Sequence, residues 1–217
     1  MKKIHHLFSI IAAVACCSMF TSCVDDDTEE ARVLYGQWQG NWGMYYTTID
    51  PYGNEVTFDS YDTDIEFIQE GPYKSYGYGY QVDYYRRGPY ERISSRFNWS
   101  VNNGVIYITY PRNPEYNTTI RDYRLSDNYF TGYFDNGTEA FRLQKLVNYD
   151  WSSYYEYDYY EWPAVFDWYE YYAKERQIDL DDTSSMKKAP QKMTVNGKDY
   201  DPKNPPVIKM GSRLAEK

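Results

Sequence analysis

Residues 97–110 read FNWSVNNGVIYITY, and this stretch decides the fold. Phe97, Trp99 and Val101 alternate with Asn98 and Ser100, so the apolar side chains share one face of an extended strand. Asn102-Asn103-Gly104 interrupts the alternation, and Val105 to Tyr110 runs back. Asn-Gly supplies the left-handed residues that a tight hairpin turn needs. A period of two on both sides of such a turn predicts an antiparallel hairpin with one buried face.

The pattern repeats on either side. Thr119–Leu125 and Tyr129–Phe134 flank Ser126-Asp127-Asn128, and Asp135-Asn136-Gly137 leads into Thr138–Leu146. Upstream, Gly36–Trp42, Thr63–Gln69 (TDIEFIQ) and Tyr76–Tyr85 (YGYGYQVDYY) bring the set to about eight strands. No intervening stretch is long and periodic enough for a crossover helix, which excludes parallel pairing. The expected fold is therefore all-β, an antiparallel up-and-down barrel over residues 34–147, since closure removes the sheet edges. Aromatic residues make up 20% of the 217-residue chain, with 28 Tyr and 6 Trp, so rings rather than aliphatic side chains supply the core. That suffices for one domain, not two.

The chain opens with Lys2 and Lys3, an apolar run from Leu7 to Phe20, and Thr21-Ser22-Cys23. The run is too short to span a bilayer and has the flanks of a secretory signal, so residues 1–22 are expected to be removed. Cys16 and Cys17 leave with it, as do His5 and His6, the sole histidines. The remaining chain has no imidazole, and Cys23 is its one cysteine. That removes His-based triads, Cys nucleophiles and Cys/His zinc sites, and no cofactor or metal is implied. A carboxylate pair of the glycosidase kind has no specific signal among the 32 acids, so the chain is read as no enzyme. Net charge is −9, which argues against nucleic acid as a partner.

Several features resemble known families. Phe20-Thr21-Ser22-Cys23 resembles the lipobox of bacterial lipoproteins, which implies that Cys23 is lipidated and anchors the chain to a membrane. Residues 23–33, with Asp25-Asp26-Asp27 and Glu29-Glu30, read as a solvated acidic tether. They also resemble the export signal that takes Bacteroidetes lipoproteins to the outer face of the outer membrane. Gly36-Gln37-Trp38 looks like the Gly-x-Trp of lipocalins, whose Trp closes one barrel end, and residues 97–110 and 123–145 look like lipocalin-like surface lipoproteins of the Bacteroidetes. The lipocalin Arg that packs on that Trp has Arg142 as its candidate here.

Residues 148–177 are rich in Tyr, Trp and acids, and Val165, Trp168, Tyr169 and Tyr172 follow helical spacing after Pro163. They form either a short helix docked on the barrel or a partner-binding surface. Residues 178–217 read as a flexible basic tail whose removal costs only a few degrees of melting temperature; Asn196-Gly197 in MTVNGKDY is the place where a small hairpin could close. Tyr76, Tyr78 and Tyr80 share one face of a strand, with Gly77 and Gly79 leaving the other bare. These tyrosines are the candidate ligand site, for a glycan or small amphiphile held by an outer-membrane lipoprotein. The competing readings are an aromatic ladder packed against its neighbours, and a non-catalytic interaction subunit of a cell-surface assembly. An open Tyr-lined barrel would favour the ligand, and a filled one the interaction reading.

Overall fold

The computed structural model describes residues 26–112, 114, 117–134, 140–146, 161–163, 166–168, 171–172, 174, 194–195, 197–202 and 204–213. Cys23, the signal segment, the Asp135-Asn136-Gly137 turn, Tyr169 and most of 148–177 lie outside these residues. A helix, α1 (Asp26–Leu34), comes first. It is followed by β1 (Gly36–Asn41), β2 (Met44–Ile49), β3 (Glu55–Gln69), β4 (Tyr76–Tyr85) and β5 (Tyr90–Asn102). Then come β6 (Val105–Thr109), β7 (Thr118–Leu125), β8 (Tyr129–Phe134) and β9 (Phe141–Leu146). The last strands are β10 (Glu161–Pro163), β11 (Thr194–Val195), β12 (Lys198–Asp199) and β13 (Val207–Ser212).

Eight antiparallel strands, β1 and β3–β9, close into a barrel when β3 pairs with β1 from Gly40↔Thr63 to Gly36↔Phe67. They are the strands that the alternation marks. In the β5–β6 hairpin, Asn103 and Gly104 take φ of 51° and 67°, the left-handed pair expected of the turn. The interior is filled by rings: Phe67 meets Phe97 at 5.2 Å, Trp42 meets Phe134 at 4.7 Å, and Phe130 meets Phe141 at 4.9 Å between centroids. Such edge-to-face packing adds to the burial of each ring.

One end is closed by α1, where a solvated tether was expected. Asp26, Asp27 and Glu29 lie in its first turn, where the helix dipole favours negative charge, while Thr28, Ala31 and Leu34 fall on one buried face. Asp27 accepts from the Asn103 backbone N–H at 3.0 Å, and the Tyr123 hydroxyl donates to Glu30. Trp38 is fully buried beneath the helix, its Nε1 donating to the Leu34 carbonyl at 2.8 Å. The cation over this Trp is Lys145, not Arg142. Lys145 Nζ lies 4.8 Å from the indole and donates to the Val33 carbonyl at 2.9 Å. Burial lowers its pKa. Gly36 leaves room for it, since a Cβ there would meet Lys145 Cε at 3.0 Å. Arg142 has the opposite strand parity and stands outside, 4.3 Å over the Tyr129 ring.

The other end is an extension of the sheet. The chain kinks at Trp42-Gly43, where Gly43 takes φ 67°, and β2 continues along the first half of β3. β13 adds to β2, and β10 pairs with the first half of β5. The C-terminal segment is thus no free tail at residues 205–213. Met210 is buried, Thr48 Oγ1 donates to the Pro206 carbonyl at 2.7 Å, and the Tyr90 hydroxyl donates to the Pro205 carbonyl. The small hairpin is present as β11–β12 around Gly197, whose φ is 75°.

Trp168 and Tyr172 differ from an exposed contact face. Trp168 is 5% exposed and packs on Phe58 with Phe166 and Tyr171, while the half-buried Tyr172 donates its hydroxyl to Asp50. Asp50 also accepts from the Tyr52 and Asn54 backbone N–H groups at 2.8 and 2.7 Å, fixing the β2–β3 turn beneath these rings. Aromatic residues at helical spacing here serve intramolecular packing.

Candidate functional site: the outward tyrosine face of β3 to β6

Strand parity decides where the β4 tyrosines go. Gly77 and Gly79 point into the barrel because the rings of the neighbouring strand need the space: a Cβ on Gly79 would lie 2.2 Å from Phe97 Cζ. Tyr76, Tyr78 and Tyr80 therefore point outward. Tyr76 and Tyr78 are each 41% exposed, and Tyr80 is half-buried. They do not line a lumen. Trp99, on the inner side, ties the strand pair together by donating Nε1 to the Tyr78 carbonyl at 2.9 Å.

The register sets out the face in cross-strand rows. Tyr76, Ser100 and Tyr107 form one, Ile68, Tyr78, Asn98 and Thr109 the next, and Glu66, Tyr80 and Arg96 a third. Strand spacing puts Tyr76 and Tyr107, two strands apart, at about 10 Å. Polar side chains stand between the rings. Arg96 lies 5.2 Å over Tyr80, Lys74 lies 5.6 Å over Tyr76, and Tyr78 meets Tyr80 edge-on at 6.2 Å.

Below the third row the outward face turns inward in character. Asp64, Val82 and Ser94 pair across the strands with exposures of 2%, 0% and 6%. Tyr80 and Tyr84 pack on Val82, and the Tyr84 hydroxyl donates to Asp64 Oδ2 at 2.8 Å. Asp64 Oδ1 and Ser94 Oγ are buried without a hydrogen-bond partner among the described residues. Beside them Gln39 donates to Asp62 at 2.9 Å; burial, with the Asp64 charge adding to it, raises the Asp62 pKa. Aromatic faces, a carboxylate oxygen and a hydroxyl with unused capacity thus lie together on one side of the sheet. Unmet polar capacity of this kind is costly unless something fills it.

A second polar group sits inside the barrel. Asp83 is fully buried, accepting from Thr63 Oγ1 at 2.7 Å and from Gln81 Nε2 at 2.8 Å, while Tyr110 donates to Gln81 Oε1 at 2.7 Å. Burial pushes the Asp83 carboxyl up to about 7, against the pull of the two hydrogen bonds. Sequence reasoning missed it, though a signal was there: Gln81 and Asp83 share the parity of Gly77 and Gly79 and so face the rings of the core. Surrounded by packed side chains, this network is part of the wall and not a ligand site.

Among the described residues no group of three or more His, Cys, Asp or Glu is placed to hold a metal, and no helix is long and apolar enough to cross a membrane. No protein-family model, curated protein or solved structure matches the chain.

Proposed function

We propose that the chain is a non-catalytic surface lipoprotein, anchored through an acylated Cys23 at the outer face of the outer membrane, that binds glycan on the outward tyrosine face. The observation carrying the reading is the placement of Tyr76, Tyr78 and Tyr107 on an open sheet face while rings fill the interior. A tyrosine ring offers an apolar face to a sugar ring and a hydroxyl beside it. Asn98, Thr109 and Arg96, exposed between the rings, supply hydrogen bonds that sugar hydroxyls use. Tyr and Arg are enriched at protein interfaces as well, so the non-catalytic interaction subunit is the second reading of this face. Among the described residues rings fill the barrel, which counts for the interaction subunit and against a ligand held in a lumen; the glycan reading rests on the outer face alone. The lipocalin likeness is supported by the buried Trp38 under a cation at the closed end, with Lys145 in the role assigned to Arg142.

Three measurements test this. Cys23→Ala should release the protein from the membrane fraction, and protease added to intact cells should remove the unaltered protein; retention or protection refutes the anchoring or the display, respectively. In a glycan screen with isothermal titration of the hits, Tyr78→Ala and Tyr76→Ala should each weaken binding about tenfold, or 1.4 kcal/mol. Melting should stay within a few degrees, because both rings are exposed. Undiminished binding by both variants would discard the face, and loss of a protein partner in its place would favour the interaction subunit.

A further inference from the structure

The barrel wall carries a groove that the tyrosine face does not include. At the Trp42-Gly43 kink the ladder breaks on both sides: β3 shifts register between Ser60 and Asp62, and β1 and β2 pair with β9 and β13, which end on either side of the kink. A cavity of about 450 Å³ opens there, lined by Asn41, Gly43, Asp59, Ser60, Arg142 and Arg213 among others. That volume is within the range of small-molecule sites.

Its polar groups are mostly donors. Arg142 stacks one face on Tyr129, and its N–H groups meet no acceptor among the described residues. Asn41 uses its Oδ1 to accept from the Gly43 N–H at 2.7 Å, which leaves its amide N–H groups available. Ser60 is 7% exposed and lines the groove without offering its hydroxyl, since its Oγ is buried, with no hydrogen-bond partner among the described residues. The one carboxylate among the described lining residues, Asp59, is held by Arg213 at 2.8 Å.

The geometry points to a binding site for a carboxylate carried on a sugar-sized body, a uronic acid, with Arg142 as the recognising fork. The guanidinium matches a planar carboxylate through two parallel hydrogen bonds, and stacking on Tyr129 holds it in orientation. The cavity is too large for a bare anion. The Asn41 amide supplies donors for the remaining oxygens. This site does not depend on the glycan reading of the outer face.

Titration of the full chain with glucuronate, glucose and inorganic phosphate tests it. Glucuronate should bind at least tenfold more tightly than either of the others. Arg142→Ala should abolish that margin, and Arg142→Lys, which keeps the charge but not the fork, should recover only part of it. Arg142 is exposed, so circular dichroism and melting should be unchanged. Tyr78→Ala should leave glucuronate binding intact, which separates this site from the outer face. Equal binding of glucuronate and glucose, phosphate binding as well as glucuronate, or an Arg142→Ala protein that still discriminates would each overturn the assignment.

Discussion

Replacing Asp83 by Asn is expected to raise the melting temperature at pH 8 by roughly 10 °C and to leave it nearly unchanged at pH 4. The carboxyl titrates at about 7 in the fold against 3.8 unfolded, because burial penalises its charged form. Between those values the folded chain keeps a proton that the unfolded chain has released. The stability it contributes is therefore complete below about pH 4 and is lost as pH rises to 7. At 1.36 kcal/mol per unit the loss is about 4 kcal/mol. Asparagine mimics the neutral acid, donating to Thr63 and accepting from Gln81, so its melting should lack that part of the slope. Thermal melts of both proteins from pH 4 to pH 8 decide it. Parallel curves would show that Asp83 stays ionised in the fold.

Truncation after residue 193 should cost at least about 3 kcal/mol, and more than about 6 °C in melting temperature. Loss of buried Met210 alone accounts for much of this, since removing such a side chain costs about 2–5 kcal/mol. The hydrogen bonds from Thr48, Tyr90 and Ser212 to residues 205–212 or across to Trp42 add about 0.5–1.5 kcal/mol each. Met210→Asp in the full-length chain should reproduce most of the effect without shortening it. If both proteins melt within a couple of degrees of the parent, β13 contributes nothing and the reading as a free tail returns.

The barrel was legible in the sequence because stretches of its strands alternate a wet face with a dry one, as β5 does from Arg96 to Asn102 and β8 does throughout. The sheet extension was not. In β2, MYYTTI shows no alternation, because Tyr46 packs inward on Phe58 at 5.2 Å while Tyr45 is covered from outside by Lys209 and Arg213 at 5.5 and 4.6 Å. A strand buried on both faces leaves no period to read. β13 fails for a different reason: six residues with one buried side chain carry too little pattern, and their burial comes from the edge of β2. α1 hid behind its acids, since Ala31 and Leu34 alone do not make a visible stripe. At the site, the sequence grouped Tyr76, Tyr78 and Tyr80 on one face, but which face looks inward was fixed by Phe97 on the neighbouring strand. The choice of Arg142 failed on parity by the same logic, three residues short of Lys145.

Because α1 begins at Asp26 and is packed onto the barrel, Val24 and Asp25 alone separate it from Cys23. Fully stretched, that connection spans only about 10 Å. An acylated Cys23 would then pin the α1 end of the molecule to the lipid headgroups, with the Asp50 turn pointing away from the bilayer. The molecule could spin about its long axis and lean, but not roam. Its tyrosine-bearing flank would face sideways, toward neighbouring molecules on the same cell, and a long polymer would be met by many such flanks at one fixed height above the lipid.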